Sequence, residues 1–447
     1  MGHLGAKDAY RQLGRKLDGL GTRAPWNHTL FEILNRLYTP EEAELVVRMP
    51  YGLSSLDRIG AVTGRSEAEL QPMLERLAGK GLVMDLLAGD AIRYMPSPMV
   101  IGIFEFTMMR TRGELNLTEW ASLFQRYLDR EFFAANCGDG QQVAVMRSIP
   151  HEGSLEDPEY TEILDYERAA AIVASHDAFA IGICSCRHEK RHTGATECGV
   201  PLDTCTTFGY AAETMIRNGL ARKASRGEVL DTLARSRDLG LALCGDNVQR
   251  NVAFLCHCCA CCCNALAGIS RFGFSNAVVT SNYIARSPDG DCTGCGCCAD
   301  ACPIDAIHME TKSSSDSIPT LTPMIDESIC LGCGVCAVKC PTGAMRLIPR
   351  ARRVLHPETV FEKVILRNLE QGTLQNQLFD HPGSVTQKFM RGFVGGFLRL
   401  PPVKRALLSD RLRSRFLATM KAGVERQGKG WLLEPSPPRL DAHRKQA

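Results

Sequence analysis

Long apolar runs are missing from this chain of 447 residues. None approaches the roughly 20 residues that a helix needs to cross a bilayer, so an integral membrane protein is not expected. The opening residues, MGHLGAKDAY, lack the basic segment, apolar stretch and cleavage site of a secretory signal peptide. No GxGxxG or Walker-type loop stands in a convincing context, so the sequence does not indicate nicotinamide or flavin binding or nucleotide hydrolysis.

Cysteine, in contrast, is abundant. The chain has 21 cysteines in an otherwise ordinary composition of 45% hydrophobic and 23% charged residues, with length enough for two to four domains. Disulfides would be the expectation in a secreted protein, but no secretion signal is indicated. We therefore expect the thiols to be metal ligands in a reducing, cytoplasmic environment.

Two copies of the motif CxxCxxCxxxCP lie late in the chain. They consist of Cys292, Cys295, Cys298 and Cys302, and of Cys330, Cys333, Cys336 and Cys340. This spacing is the ligand run of a bacterial ferredoxin that holds two [4Fe–4S] clusters. Zinc is the weaker interpretation, because structural zinc sites favour paired CxxC knuckles without a third cysteine and CysPro.

In such a run the fourth cysteine of each copy binds the cluster of the other copy. The predicted ligand sets are therefore Cys292, Cys295, Cys298 and Cys340 for one cluster, and Cys330, Cys333, Cys336 and Cys302 for the other. The sequence also predicts a helix after each CysPro and short strands near AIHME and AMRLI. Cys297, an additional thiol in the first loop, leaves a ligand exchange open.

A second set of cysteines fills the middle of the chain. The candidate metal ligands there are Cys184, Cys186, Cys198, Cys205, Cys256, Cys258, Cys259, Cys261, Cys262 and Cys263. Crowded free thiols oxidise readily or bind metal, so one or two additional iron–sulfur clusters are expected. In one scheme the first four cysteines hold a cluster of their own, and in another the two stretches mix. We expect an apolar strand over residues 179–183 and loops around Cys198 and Cys205.

Basic residues follow the first middle cysteines directly, beginning with Arg187. Their charge would stabilise thiolates and a reduced cluster, although a solvated basic segment explains them equally well. His257 lies among six cysteines, so we expect it to support the ligands rather than to be one.

The N-terminal region predicts a winged-helix-like domain. A helix with a capping box at Ser66 and Glu69 follows LDRIGAVTG, and a short β wing is expected over residues 83–95. The would-be recognition helix opens with Glu67 and Glu69, and negative charge there disfavours contact with DNA phosphates, so the sequence favours a protein-interaction or dimerisation module over DNA binding. The sequence leaves a homodimer open.

The C-terminal region is basic. Residues 346–447 contain 20 of the 52 basic and 8 of the 50 acidic residues, a net charge of +12, which leaves −10 for the rest of the chain. Phe389, Phe393 and Phe397 recur at helical spacing among basic residues. Packing on the acidic body or docking to a partner is favoured, and peripheral contact of residues 386–420 with the inner membrane face is the alternative.

The whole arrangement resembles a group of poorly characterised 4Fe–4S ferredoxin-domain proteins of anaerobic bacteria. The residues that carry the resemblance span roughly 10–350 and include the ICxCR sequence at 183–187, Cys198, Cys205, the CxCCxCCC run at 256–263 and the eight ferredoxin cysteines. His257, where a small polar residue is expected, and Cys297 depart from the pattern. The resemblance implies electron transfer but no substrate.

These observations predict an α+β multidomain protein. The expected domains are a winged-helix-like domain at 1–110, a helical connector at 111–175, a cysteine-rich α/β domain at 176–285, a ferredoxin-like 2[4Fe–4S] domain at 286–350 and a basic helical extension at 351–447. An iron–sulfur electron carrier that serves a redox partner protein is the favoured function. An oxidoreductase with a catalytic middle cluster and a redox-sensing winged-helix regulator are the alternatives.

Overall fold

A computed structural model of the chain describes residues 2–88, 91–111, 116–155, 165–287, 291–312 and 320–433. Its contacts divide the chain into two compact units. Unit 1 comprises Met1–Tyr127, Gly209–Arg222 and Thr359–Ala447, and unit 2 comprises Leu128–Phe208 and Lys223–Glu358. Both units are therefore discontinuous in sequence.

The described residues form 20 α-helices and 12 β-strands. The helices are α1 (Gly2–Asp18), α2 (His28–Leu37), α3 (Pro40–Arg48), α4 (Leu56–Thr63), α5 (Glu67–Gly79), α6 (Phe104–Met109), α7 (Leu117–Tyr127), α8 (Arg130–Cys137), α9 (Ala169–Ala174), α10 (Ser185–Thr193), α11 (Gly209–Arg217), α12 (Arg226–Asp238), α13 (Asn264–Ser270), α14 (Cys297–Asp300), α15 (Val335–Val338), α16 (Val360–Glu370), α17 (Leu374–Leu378), α18 (Val385–Leu398), α19 (Pro401–Leu408) and α20 (Arg413–Arg426). The strands are β1 (Val83–Ala88), β2 (Ala91–Pro96), β3 (Met146–Ile149), β4 (Phe179–Ile183), β5 (Asp203–Phe208), β6 (Ala221–Ala224), β7 (Ala242–Asp246), β8 (Phe254–Cys258), β9 (Tyr283–Arg286), β10 (Ile307–Lys312), β11 (Thr320–Ile325) and β12 (Arg346–Pro349).

In unit 1, α4 and α5 are followed by the antiparallel hairpin of β1 and β2. The helix α5 begins with the expected capping box, since the Glu69 carboxylate accepts hydrogen bonds from the backbone N–H and the hydroxyl of Ser66. Its apolar face, which includes Leu70, Leu74 and Leu77, is fully buried. The order of elements is the one expected for a winged helix, and the assignment to that fold stays a prediction.

The helix α18 exposes an aromatic face. Phe389, Phe393 and Phe397 have exposed fractions of 70%, 69% and 56%, so more than half of each side chain faces solvent. The rings of Phe389 and Phe393 stack on each other. Docking of this face to a partner or to a membrane surface stays a prediction. Among the described residues, no helix is long and apolar enough to span a membrane.

The largest sheet positions the middle cysteines and has the strand order β3-β7-β8-β5-β4-β6. The neighbours from β3 to β4 are antiparallel. The strand β4 spans the residues predicted from the sequence, and all five residues of β7 are buried. Cys205 lies in β5, not in a loop as expected, because its segment pairs with β4 opposite Gly182.

Both copies of the ferredoxin motif lie in unit 2, the first between β9 and β10 in sequence and the second between β11 and β12. The strand β9 pairs antiparallel with β12, and β10 pairs antiparallel with β11. The strands β10 and β12 occupy the AIHME and AMRLI segments, as predicted. The prediction of a helix after each CysPro was wrong. The short helices α14 and α15 precede the CysPro sequences and contain the third cysteine of each copy. The segment that links β10 to β11 and contains Ser313, Ser314 and Ser315 lies outside the described residues.

Candidate metal centres

The four cysteines Cys302, Cys330, Cys333 and Cys336 line one cavity in unit 2, which we call the second ferredoxin cavity. Its empty space, including the part that is open to solvent, measures about 320 Å³, and its remaining walls are mostly apolar, including Ile304 and Leu347. Three of its cysteines come from the second motif and one from the first. All four side chains are largely buried.

A second cavity, which we call the first ferredoxin cavity, combines three cysteines of the first copy with the fourth cysteine of the second copy. Cys292, Cys295, Cys298 and Cys340 line about 310 Å³ of space, together with Cys297 and Met309. This cavity is more open to solvent, because Cys295 is exposed and Cys292 and Cys340 are only partly buried. The two cavities are almost equal in volume, and each collects three thiols from one copy and the fourth from the other.

Backbone amides donate hydrogen bonds to the fourth cysteine of each copy of the motif. The amide N–H of Ala306 donates to the Sγ of Cys302 at 3.2 Å, and the amide N–H of Met345 donates to the Sγ of Cys340 at 3.4 Å. Amide donors stabilise a thiolate and tune the potential of a cluster bound to it. With four thiols around an apolar cavity, these donors make both sites fit a [4Fe–4S] cluster.

The electrostatics of the two cavities differ. Burial, together with neighbouring thiolates, raises the pKa of Cys333 and Cys336 well above the ordinary value of a thiol. At Cys340 burial also opposes ionisation, but amide and hydroxyl donors such as Met345 and Thr342 outweigh it and lower the pKa. A bound iron core would offset the repulsion between thiolates in the buried cavity.

Hydrogen bonds fix the loop of the second cavity. The hydroxyls of Ser154 and Ser281 donate to the carbonyl oxygens of Gly334 and Gly332, at 3.0 and 2.8 Å. The amide of His151 donates to the carbonyl of Cys333 at 3.0 Å. These partners come from segments distant in sequence, so the loop conformation is set by the fold of unit 2.

The middle cysteines separate into two groups. In the seven-thiol group, the side chains interact pairwise. Cys186 interacts with Cys263, Cys205 with Cys256, and Cys258 with Cys244, Cys256 and Cys263. Cys184 interacts electrostatically with Cys186 and Cys205. Strand pairing brings these residues together, because Cys244 on β7 lies opposite Cys256 on β8. The members of the seven-thiol group are Cys184, Cys186, Cys205, Cys244, Cys256, Cys258 and Cys263.

Cys244 was missed by the sequence analysis, which did not include it among the candidate metal ligands. It is fully buried and interacts electrostatically with Cys333 of the second ferredoxin cavity. The signal that could have identified it is its place in an apolar strand next to the strand that carries Cys256. Cys244 thereby connects the seven-thiol group to the ferredoxin segment.

The four-thiol group consists of Cys198, Cys259, Cys261 and Cys262, whose Sγ atoms all lie within 4.8 Å of one another. The Sγ of Cys198 is 3.9 Å from that of Cys259, and the Sγ atoms of Cys261 and Cys262 are 3.5 Å apart. Cys198 is thus grouped with the later run and not with Cys184, Cys186 and Cys205. The structure mixes the two cysteine stretches, which is the second of the two schemes.

Arg187 lies between the two groups and is buried. Its Nε donates to the Sγ of Cys259 at 3.4 Å, and its Nη1 donates to the carbonyl of Pro201 at 2.5 Å and to the hydroxyl of Thr204 at 2.7 Å. Its Nη2 donates to the carbonyl of His257. Hydrogen bonds from Cys262 and Arg187 lower the pKa of Cys259 to about 4. Arg187 is therefore a thiolate-stabilising cation, not part of a solvated basic segment.

His257 turns away from the thiols around it. Its Nε2 lies 3.1 Å from the hydroxyl of Thr206, and its Nδ1 lies 2.6 Å from the hydroxyl of Ser236. Burial and the nearby Arg187 lower its pKa to about 3, so the ring is neutral. With both ring nitrogens engaged, His257 supports the strand and does not act as a ligand in this arrangement.

Replacing Arg187 by Gln is expected to lower the free energy of unfolding by about 2–4 kcal/mol, because buried acceptors on Pro201, Thr204 and His257 lose their donors. The measurement is thermal unfolding of the anaerobically prepared full chain, with an expected drop in Tm of about 5 °C or more. Arg191→Gln on the exposed face of the same helix is the matched control and should leave Tm unchanged. Equal Tm values for the two variants would show that the Arg187 contacts do not stabilise the fold.

Comparison with known families agrees with the geometry of the ferredoxin segment. Residues 291–344 match the family described as 4Fe-4S dicluster domain. The chain is an iron–sulfur protein. Neither the curated proteins nor the solved structures contain a match to it. The dicluster match covers the ferredoxin segment only, and the additional cysteine groups indicate further metal centres.

Proposed function

We propose that the chain is an electron-transfer protein with two ferredoxin-type [4Fe–4S] clusters and one further cluster in the seven-thiol group. The observation that carries this proposal is the pair of ferredoxin cavities, each lined by three cysteines of one copy of the motif and the fourth cysteine of the other copy, within the segment that matches a dicluster domain. Bound [4Fe–4S] clusters supply one-electron transfer. The reaction partner would be a separate redox protein.

The proposed ligands follow the lining of the cavities. Cys302, Cys330, Cys333 and Cys336 would hold one cluster, and Cys292, Cys295, Cys298 and Cys340 the other. Cys297 lines the first cavity too, but it is the first residue of α14 and lies outside the repeated spacing. We assign it no ligand role. The exposed edge at Cys295 makes the first ferredoxin cavity the better entry point for an external redox partner.

The position of Cys244 supports a relay. Cys244 interacts electrostatically with Cys333 on one side, and on the other it lies opposite Cys256 in the pairing of β7 with β8. Cysteines of the second ferredoxin cavity and of the seven-thiol group also belong to one apolar core, together with residues such as Leu266 and Val335. This core excludes water between the two centres, so the chain's own packing favours electron exchange inside unit 2 over leakage to solvent.

The test is anaerobic purification of the full chain, followed by iron and sulfide analysis and a redox titration monitored by electron paramagnetic resonance. We expect about twelve irons and equal sulfide, from two ferredoxin clusters and one further cluster. An iron content of about eight per chain would contradict the cluster proposed for the seven-thiol group. A preparation with full iron content but no reducible paramagnetic centre would contradict electron transfer itself.

A further inference from the structure

The thiols of the four-thiol group are arranged differently from those of the ferredoxin cavities. All four Sγ atoms lie within 4.8 Å of one another, and within the described ranges no other three His, Cys, Asp or Glu ligand atoms do so. The ferredoxin cysteines are thus spread around a cavity, as ligands of four separate irons must be. The thiols of Cys198, Cys259, Cys261 and Cys262 instead converge on one point.

The spacing fits a single tetrahedral ion. A zinc–thiolate bond is about 2.3 Å long, so two thiolates on one tetrahedral zinc lie about 3.8 Å apart. The Sγ atoms of Cys198 and Cys259 are 3.9 Å apart, and those of Cys261 and Cys262 are 3.5 Å apart. We propose that the four-thiol group binds one divalent ion in tetrahedral thiolate coordination, the chemistry that zinc prefers, and not an iron–sulfur cluster.

The surroundings suit a closed structural site. Four protein thiolates leave no open coordination position, and Leu241 and Val200 pack against the group. Four thiolates around a divalent cation carry a net charge of −2, and the buried guanidinium of Arg187 offsets part of it by donating to Cys259. Because zinc has no redox chemistry, the ion would tie the Cys198 loop to the turn that follows β8, and would not carry electrons.

The test is elemental analysis of Cys198→Ser beside the unaltered chain. Cys198 lies outside the dense run at 256–263, so the variant leaves that run intact. We expect the unaltered chain to contain one zinc, and Cys198→Ser to lose it with iron and sulfide unchanged. Cys137→Ser, at the end of α8 and outside both cysteine groups, is the matched control and should keep its zinc.

Two results would contradict the proposal of a zinc site. Loss of iron and sulfide together from Cys198→Ser would show a cluster there, and zinc-free unaltered protein would show no zinc site. Should Cys198→Ser fail to fold, X-ray absorption at the zinc edge of the unaltered chain decides the same question. Four sulfur neighbours at about 2.3 Å support the proposal, whereas nitrogen or oxygen neighbours contradict it. Neither readout depends on electron-transfer activity.

Discussion

Simultaneous replacement of Cys302 and Cys330 by Ala is expected to remove about four irons per chain, whereas replacement of Cys302 and Cys292 should remove about eight. The reason is that Cys302 and Cys330 line the same cavity, although they belong to different copies of the motif. Cys292 lines the other cavity. The two double variants remove the same number of thiols, so they control for each other.

An arrangement in which each copy binds its own cluster gives the opposite pattern of iron loss. Cys302 and Cys292 would then share a cluster, and their joint removal would cost about four irons instead of eight. Paramagnetic resonance of the reduced proteins provides a second readout, because the Cys302 and Cys330 variant should keep the signal of the first ferredoxin cavity. Cys297→Ser should retain both clusters, since Cys297 has no ligand role in this assignment.

The ferredoxin segment was predictable because its information is local. The spacing of four cysteines and a proline repeats within each copy, and the two short strands follow from alternating apolar residues. The position of the short helices was not predictable in the same way. Proline is common at the start of a helix, but the chain after each CysPro forms a turn that leads into β10 or towards β12.

The partition of the middle cysteines could not be predicted, because it depends on contacts distant in sequence. Cys198 and Cys259 are 61 residues apart, and Cys244 joins its group through the pairing of β7 with β8. Neither relation leaves a periodic pattern in the sequence. The role of Arg187 was equally hard to predict. The nearby Lys190 and Arg191 suggest a solvated basic segment, and only the fold shows that the Arg187 side chain on α10 is buried.

Replacing Gly332 by Ala should abolish the second ferredoxin cluster and leave the first in place. Gly332 has a φ of +61°, a left-handed conformation that costs most other residues about 1–2 kcal/mol. A Cβ atom there would also meet the carbonyl oxygen of Tyr283 and the hydroxyl of Ser281, which are fixed in the buried wall of the site. Overpacking of this kind adds about 1–3 kcal/mol.

Gly296, in the first copy of the motif, allows the effect of backbone strain to be distinguished from the effect of close contact. Its φ of +79° imposes the same conformational strain, but a Cβ atom there would have no neighbour within 4 Å. Gly296→Ala should therefore keep about eight ferredoxin irons, and the urea midpoint for loss of cluster absorbance should fall only slightly. Gly332→Ala should lose about four of these irons. Equal behaviour of the two variants would mean that backbone strain alone, not the close contact with Tyr283 and Ser281, determines the requirement for glycine.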